Sequence, residues 1–181
     1  MALSATIYKA HINLSDLDRH IYQDLHQTLA CHPSETTERM MVRVLAWLLN
    51  WTPELHFSRG LCAEDEPALW QHSLTGEIEH WIDVGVPSEE QIRKACHRSQ
   101  RVSLYVYGTD KQVDVWWQKI HGKLNRFSNL TVYRLAAEIT PALDQLVKPG
   151  MHLQATIEDR QIWLSDESQT LEISYKVLKE A

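Results

Sequence analysis

Three consecutive stretches decide the fold class: Ile78-Glu79-His80-Trp81-Ile82-Asp83-Val84, then Ser88-Glu89-Glu90-Gln91, then Arg101-Val102-Ser103-Leu104-Tyr105-Val106-Tyr107. In the first, Ile78, His80, Ile82 and Val84 share one face of an extended chain, and Glu79, Trp81 and Asp83 share the other. The second is a capping box, a Ser whose side chain and a Gln three residues on satisfy each other's backbone N–H groups, and it opens a short helix through Ile92, Ala95 and Cys96. The third is nearly all apolar, as a strand covered on both faces requires. Strand, short loop, helix and strand make a βαβ unit, so the two strands are expected to be parallel neighbours with a right-handed crossover.

Working outward, Tyr8, Ala10, Ile12 and Leu14 alternate with polar neighbours, and the turn-like Ser15-Asp16-Leu17-Asp18 leads to Ile21, Leu25 and Leu29. An antiparallel hairpin is predicted there. A helix follows Pro33-Ser34, with Ser34 as N-cap and Met41, Val44, Leu45 and Leu48 as an apolar stripe, until Pro53 stops it. Three short strands are expected between Leu55 and Gly85, at Leu55-His56-Phe57, Ala68 to Gln71 and Ile78 to Val84. Thr109-Asp110-Lys111-Gln112 is a second capping box, ahead of Val113, Trp116, Trp117 and Ile120 on one helical face. A strand near Leu130 to Arg134 and a short helix at Pro141, ended by Pro149-Gly150, precede an alternating tail. That tail, 151–178, reads as a meander that joins the amino-terminal segment 1–30 in a second sheet.

The chain has 181 residues, 44% of them hydrophobic, enough to bury one ordinary core, and neither disordered nor fibrous in composition. The net charge is −6, which excludes a generally basic nucleic-acid coat. The longest apolar run, Val44 to Leu49, has six residues, far short of the roughly 20 of a membrane span. Residues 1–9 lack the basic start and apolar run of a secretory signal. The three cysteines, Cys31, Cys62 and Cys96, form no CxxC pair, so a reducing cytoplasm and a monomer without membrane attachment are expected.

Charge is unevenly placed. Between Leu61 and Ile92 there are eight acidic residues and no Lys or Arg, while Val86 to Arg126 holds eight basic residues against four acids. Asp83 sits at a strand carboxyl end just ahead of a helix amino terminus, where open α/β sheets bind ligands and where a helix favours phosphate.

The strings His32-Pro33-Ser34-Glu35-Thr36-Thr37-Glu38-Arg39-Met40-Met41, Arg59-Gly60-Leu61-Cys62-Ala63-Glu64-Asp65-Glu66-Pro67, Trp81-Ile82-Asp83-Val84-Gly85 and Ile92-Arg93-Lys94-Ala95-Cys96 closely resemble the YaeQ family of bacteria. So do the later Leu153 to Ile157 and Ile162 to Asp166. The resemblance implies an α/β fold, strictly a mixed α+β sheet, with a PD-(D/E)XK or restriction-endonuclease-like core over about 33–135 and an added antiparallel meander from both termini, all within one domain, 1–181. In nucleases of that superfamily a first-helix carboxylate, a second-strand Asp and an Asp/Glu-X-Lys on the third strand hold Mg²⁺ or Mn²⁺ and activate water for phosphodiester attack, chemistry that suits hard oxygen ligands.

Carried onto this chain, the resemblance assigns Glu38, with Glu35 as second choice, Glu66 or Asp65, and Asp83 as metal ligands. Where the lysine would stand there is Gly85, so Lys94 or Arg93 is the substitute electrostatic group. If Glu38, Glu66 and Asp83 converge, their like charges are expected to raise one another's pKa. The resemblance thus implies a metal-dependent nuclease acting on DNA or RNA, or else a catalytically degenerate relative that docks nucleic acid or a protein of the transcription machinery.

Other residues are read as structural. His20, His26 and His32 recur at no metal-ligand spacing. Cys31 and Cys96 read as core or inert thiols, and Trp116-Trp117 as core by helical period despite nearby Lys111, Lys119 and Lys123. Asp166 and Glu167 read as ordinary turn acids.

Overall fold

Alternation alone builds the first element pair. In β1 (Thr6–Asp16), Ala10, Ile12, Leu14 and Asp16 are buried while the residues between them face outward. β2 (Ile21–Cys31) pairs with it antiparallel, setting His11 opposite His26 and Asn13 opposite Asp24. The turn occupies 17–20, and His20 takes a left-handed φ of 57°. The structure is a computed structural model that describes residues 4–59, 61 and 65–181, so Cys62 and Glu64 lie outside the described residues.

The remaining elements are α1 (Thr37–Leu49), β3 (Leu55–Phe57), β4 (Leu69–His72), β5 (Ile78–Val84), α2 (Glu89–Arg98), β6 (Ser99–Val106), α3 (Asp110–Leu124), β7 (Leu130–Leu135), α4 (Ile139–Asp144), β8 (Gly150–Glu158), β9 (Gln161–Ser165) and β10 (Thr170–Lys179). This is a mixed α+β fold, dominated by mixed β-sheet with four helices among the described residues. No helix among the described residues is long and apolar enough to cross a membrane.

Contacts group the chain into two units, 1–49 with 138–175 and 50–137 with 176–181. In the first the strand order is β2-β1-β8-β9-β10. The tail is the antiparallel meander expected, but it joins the hairpin through a parallel β1–β8 pair. α1 belongs to this unit. Its cap is Thr36, whose Oγ1 accepts the Arg39 N–H at 3.1 Å, whereas Ser34 is turned to the His32 ring. Every residue from Met40 to Leu48 is buried, so α1 carries apolar surface all round where one stripe was expected. Arg43 is buried among them, held by Glu35 at 2.8 Å and by the Ala30 carbonyl at 3.1 Å.

In the second unit the order is β7-β6-β5-β4-β3, with β5, β6 and β7 parallel and β3 and β4 antiparallel to their neighbours. Both capping boxes are formed: Ser88 accepts from Gln91 and Thr109 from Gln112, with each glutamine side chain returning to the cap N–H. Ile92 and Ala95 of α2 and Val113, Ile120 and Leu124 of α3 share one core with Trp81, Val102, Leu104 and Val132 of the sheet. β5 is buried on both sides, because Trp81 lies in that core while His80 and Ile82, pointing the opposite way, are also nearly inaccessible.

Candidate functional site at the carboxyl end of β5

The chain leaves β5 through Asp83, Val84 and Gly85, and Gly85 takes φ +103°, a conformation that side chains resist. This bend carries the chain over the parallel sheet to Pro87 and the capped start of α2. Asp83 Oδ1 accepts the Val84 N–H at 3.0 Å, and the carboxylate borders a narrow crevice lined by Trp81, Pro87, Gln91 and Ile92. With a volume of about 10 Å³, the crevice admits one water at most. Asp83 thus stands where the sequence places it, at the mouth of the βαβ unit.

Of the other expected site residues, Glu66, Lys94 and Glu35 carry partners of their own. Glu66 is clasped by Arg59, whose Nε donates at 3.0 Å and whose backbone N–H donates at 3.1 Å. Those bonds hold its carboxyl below the usual range, opposite to the rise expected from neighbouring acids. Lys94 is hydrogen-bonded to Asp65, lowering the Asp65 pKa, and Arg98 donates to the Asp65 carbonyl at 3.0 Å. Arg93 is exposed on α2. Glu38 occupies the first turn of α1, in the first unit. Glu35, its second choice, is consumed by Arg39 at 2.6 Å and Arg43 at 2.8 Å, all three side chains being largely buried.

Beside the bend lies an open groove of about 470 Å³, lined by Val86, Tyr107, Lys111, Gln112, Val115, Trp116 and Lys119. Lys111, Val115 and Lys119 fall at i, i+4 and i+8 of α3, so they form one ridge, and the two lysines lie about 12 Å apart along it. Neither makes an ion pair among the described residues, in contrast with their neighbours. Lys123 and Arg126 both engage Glu89, and the acids of α3, Asp110 and Asp114, are both held by Arg134 at 2.8 and 2.6 Å. Trp116 and Trp117 are half-buried, packed against the core, and Trp116 Nε1 donates to the Pro87 carbonyl at 2.8 Å. The tryptophans are therefore only partly core, and one of them walls the groove.

Next to Asp83 on β5, His80 is a buried structural group. Arg101 Nη2 donates to its Nδ1 at 2.8 Å, so Nε2 carries the hydrogen and donates to Ser103 Oγ, also at 2.8 Å. Burial, then the Arg101 charge, pushes its pKa down to about 3, and the ring is neutral at physiological pH. Burial raises both described thiols, Cys96 to about 11, which disfavours the reactive thiolate. Asp166 caps its own turn, accepting from Ser168 and Gln169, and is held well below the usual range.

Sequence reading missed a different cluster. Among the described residues, the group of three or more His, Cys, Asp or Glu ligand atoms lying within 4.8 Å of one another is His11, Asp24 and His26, in the first unit.

Comparison with known proteins agrees with the fold. Residues 1–175 match the family model described as YaeQ protein. The chain is 46% identical to the YaeQ of Escherichia coli (strain K12) over 174 residues, covering 96% of each, and 46% identical to that of Salmonella typhi over 173 residues, covering 96% of this chain and 95% of the relative. The crystal structure of YaeQ from Xanthomonas axonopodis pv. citri superimposes with a TM-score of 0.94 at 38% identity, covering 98% of this chain and 100% of that one. That of Pseudomonas syringae superimposes with a TM-score of 0.93 at 33% identity, covering 98% and 97%. With a matched span of this length and relatives this similar, the chain belongs to the YaeQ family.

Proposed function

We propose that the protein is a monomeric cytoplasmic binder of DNA or RNA, which lays the sugar-phosphate backbone along the groove beside α3 without hydrolysing it. One observation carries this reading: Lys111 and Lys119 face one groove without acidic partners among the described residues, while every acid of α3 is turned to Arg134. A ridge of two lysines about 12 Å apart matches three to four phosphate steps of a strand rising 3.4 Å per nucleotide. Tyr107 and Trp116 line the same groove and offer ring surface there, as single-strand grooves do. The overall charge of −6 opposes binding at a distance and leaves the contact local, so affinity should be modest and strongly salt-dependent.

A relation to the PD-(D/E)XK superfamily fits this reading. Support comes from the order of three antiparallel strands, helix and parallel strand in β3 to β6. Against hydrolysis, Gly85 stands where the lysine would be, Lys94 is paired with Asp65, and Glu66 is neutralised by Arg59. One well-placed transition-state charge is commonly worth about 10²- to 10³-fold in rate. The second reading, a Mg²⁺- or Mn²⁺-dependent phosphodiesterase, is favoured by Asp83 at the mouth of the βαβ unit.

Labelled single-stranded DNA and RNA incubated with the protein in Mn²⁺ separate the two readings. Retention of intact oligonucleotide, weakened at least 10-fold by Lys111→Glu with Lys119→Glu, is the expected result. Cleavage that disappears in Asp83→Asn would establish the second reading. Failure to bind either nucleic acid at low salt would leave a protein of the transcription machinery as the partner.

A further inference from the structure

We propose that His11, Asp24 and His26 form a binding site for a divalent transition-metal ion, with Zn²⁺ as its probe. The site lies on the solvent-facing side of the first unit's sheet and is independent of the nucleic-acid groove.

The register of the β1–β2 hairpin creates it. His11 and His26 are direct cross-strand partners, and Asn13 and Asp24 are partners one step along the same face. The two imidazoles stack with ring centroids 4.2 Å apart and planes 15° from parallel. Both point at one carboxylate. His11 Nε2 is hydrogen-bonded to Asp24 Oδ1, and His26 Nε2 lies 3.7 Å from Oδ2.

Two imidazole nitrogens and a carboxylate oxygen converging on one point suit Zn²⁺ and its borderline neighbours better than Mg²⁺. The carboxylate is oriented by a further bond, Asn13 Nδ2 donating to Oδ1 at 2.7 Å, the kind of outer support that fixes a ligand's position. His152 of β8, the cross-strand partner of His11 on its other side, presents its ring edge-on at 5.5 Å. Its nitrogens are not among the ligand atoms that lie within 4.8 Å of one another, so water would fill the fourth position.

The distances permit closure. Ligands about 2.0 to 2.1 Å from a tetrahedral ion stand roughly 3.3 Å apart, so atoms now within 4.8 Å must draw in by about 1.5 Å at most. His26 and Asp24 are exposed by 71% and 58%, so rotation about their side-chain torsions suffices. Among the described residues the partners of Asp24 are the two histidines and Asn13, so closure separates no other acid and cation there. The ion takes the place of the hydrogen bond between His11 and Asp24, and it bridges β1 and β2 directly.

The test is calorimetric titration of the full chain with ZnCl₂ at pH 7.5, for the native protein, His26→Ala, Asp24→Asn and, as control, His97→Ala. A single saturable site is expected, weakened at least 10-fold by the first two substitutions and unchanged by the third. Asn13→Ala should weaken it by about 10-fold through the loosened carboxylate. Paramagnetic broadening by Co²⁺ of the native protein's imidazole resonances locates the ion without any substitution, and it should strike His11 and His26 first. No saturable Zn²⁺ binding, affinity indifferent to both substitutions, or broadening centred on other histidines would each overturn the proposal.

Discussion

Acidification should expose His80. Its ring is neutral in the native state, with a pKa of about 3, whereas an unfolded histidine titrates near 6.5. Between those values the unfolded chain binds a proton that the folded one does not, so stability is present above pH 6.5 and is withdrawn as the pH falls. Each unit below 6.5 withdraws about 1.4 kcal/mol, and from pH 7 to pH 5 this group alone should cost about 2 kcal/mol, roughly 4–8 °C in Tm for a chain of this size. The carboxylates add their own acid sensitivity, so the comparison must isolate the imidazole. His80→Gln does so: its amide oxygen can accept from Arg101 and its NH₂ can donate to Ser103, with no proton to gain. Urea unfolding of both proteins at pH 7, 6 and 5 should show the native protein losing about 2 kcal/mol more than the variant. Equal losses would refute the assignment of a buried, neutral ring.

Other expectations follow from the same contacts. Glu35→Gln leaves Arg43 buried beside Arg39 without its counter-charge, and denaturant unfolding should report a loss of about 3–5 kcal/mol. Ser88→Ala and Thr109→Ala each remove half of a formed capping box and should each cost about 1 kcal/mol in the same assay. If Asp83 anchors a divalent ion, Mg²⁺ at 100 times its Kd should add about 2.7 kcal/mol to thermal stability and Asp83→Asn should abolish that response. Melts that match those in NaCl of equal ionic strength would remove the phosphodiesterase reading.

What could be read from the sequence was what is locally encoded. The βαβ unit was legible because the Ser88 capping box and the strand periods around Asp83 are written within a few residues of one another. The cap of α1 was misplaced at Ser34 because two hydroxyl residues, Ser34 and Thr36, stand close together, and only the backbone decides which one accepts the Arg39 N–H. The pairing of Glu66 with Arg59 and of Lys94 with Asp65 depends on where loops fold back, which no spacing reveals. The His11–Asp24–His26 cluster was hidden by register. A turn placed at Ser15 to Asp18 would have set His11 against Tyr22, whereas the actual turn at 17–20 sets it against His26.

The groove beside α3 is tested most directly by the salt dependence of oligonucleotide affinity, measured by fluorescence anisotropy with labelled single-stranded DNA and RNA between low and physiological ionic strength. Each phosphate neutralised contributes about 0.7 to the slope of log K against log salt for a single strand, so replacing Lys111 and Lys119 together with Gln should flatten the slope by about 1.4 and weaken binding at low salt. A double variant whose slope and affinity equal those of the native protein would contradict the assignment of this groove to nucleic acid.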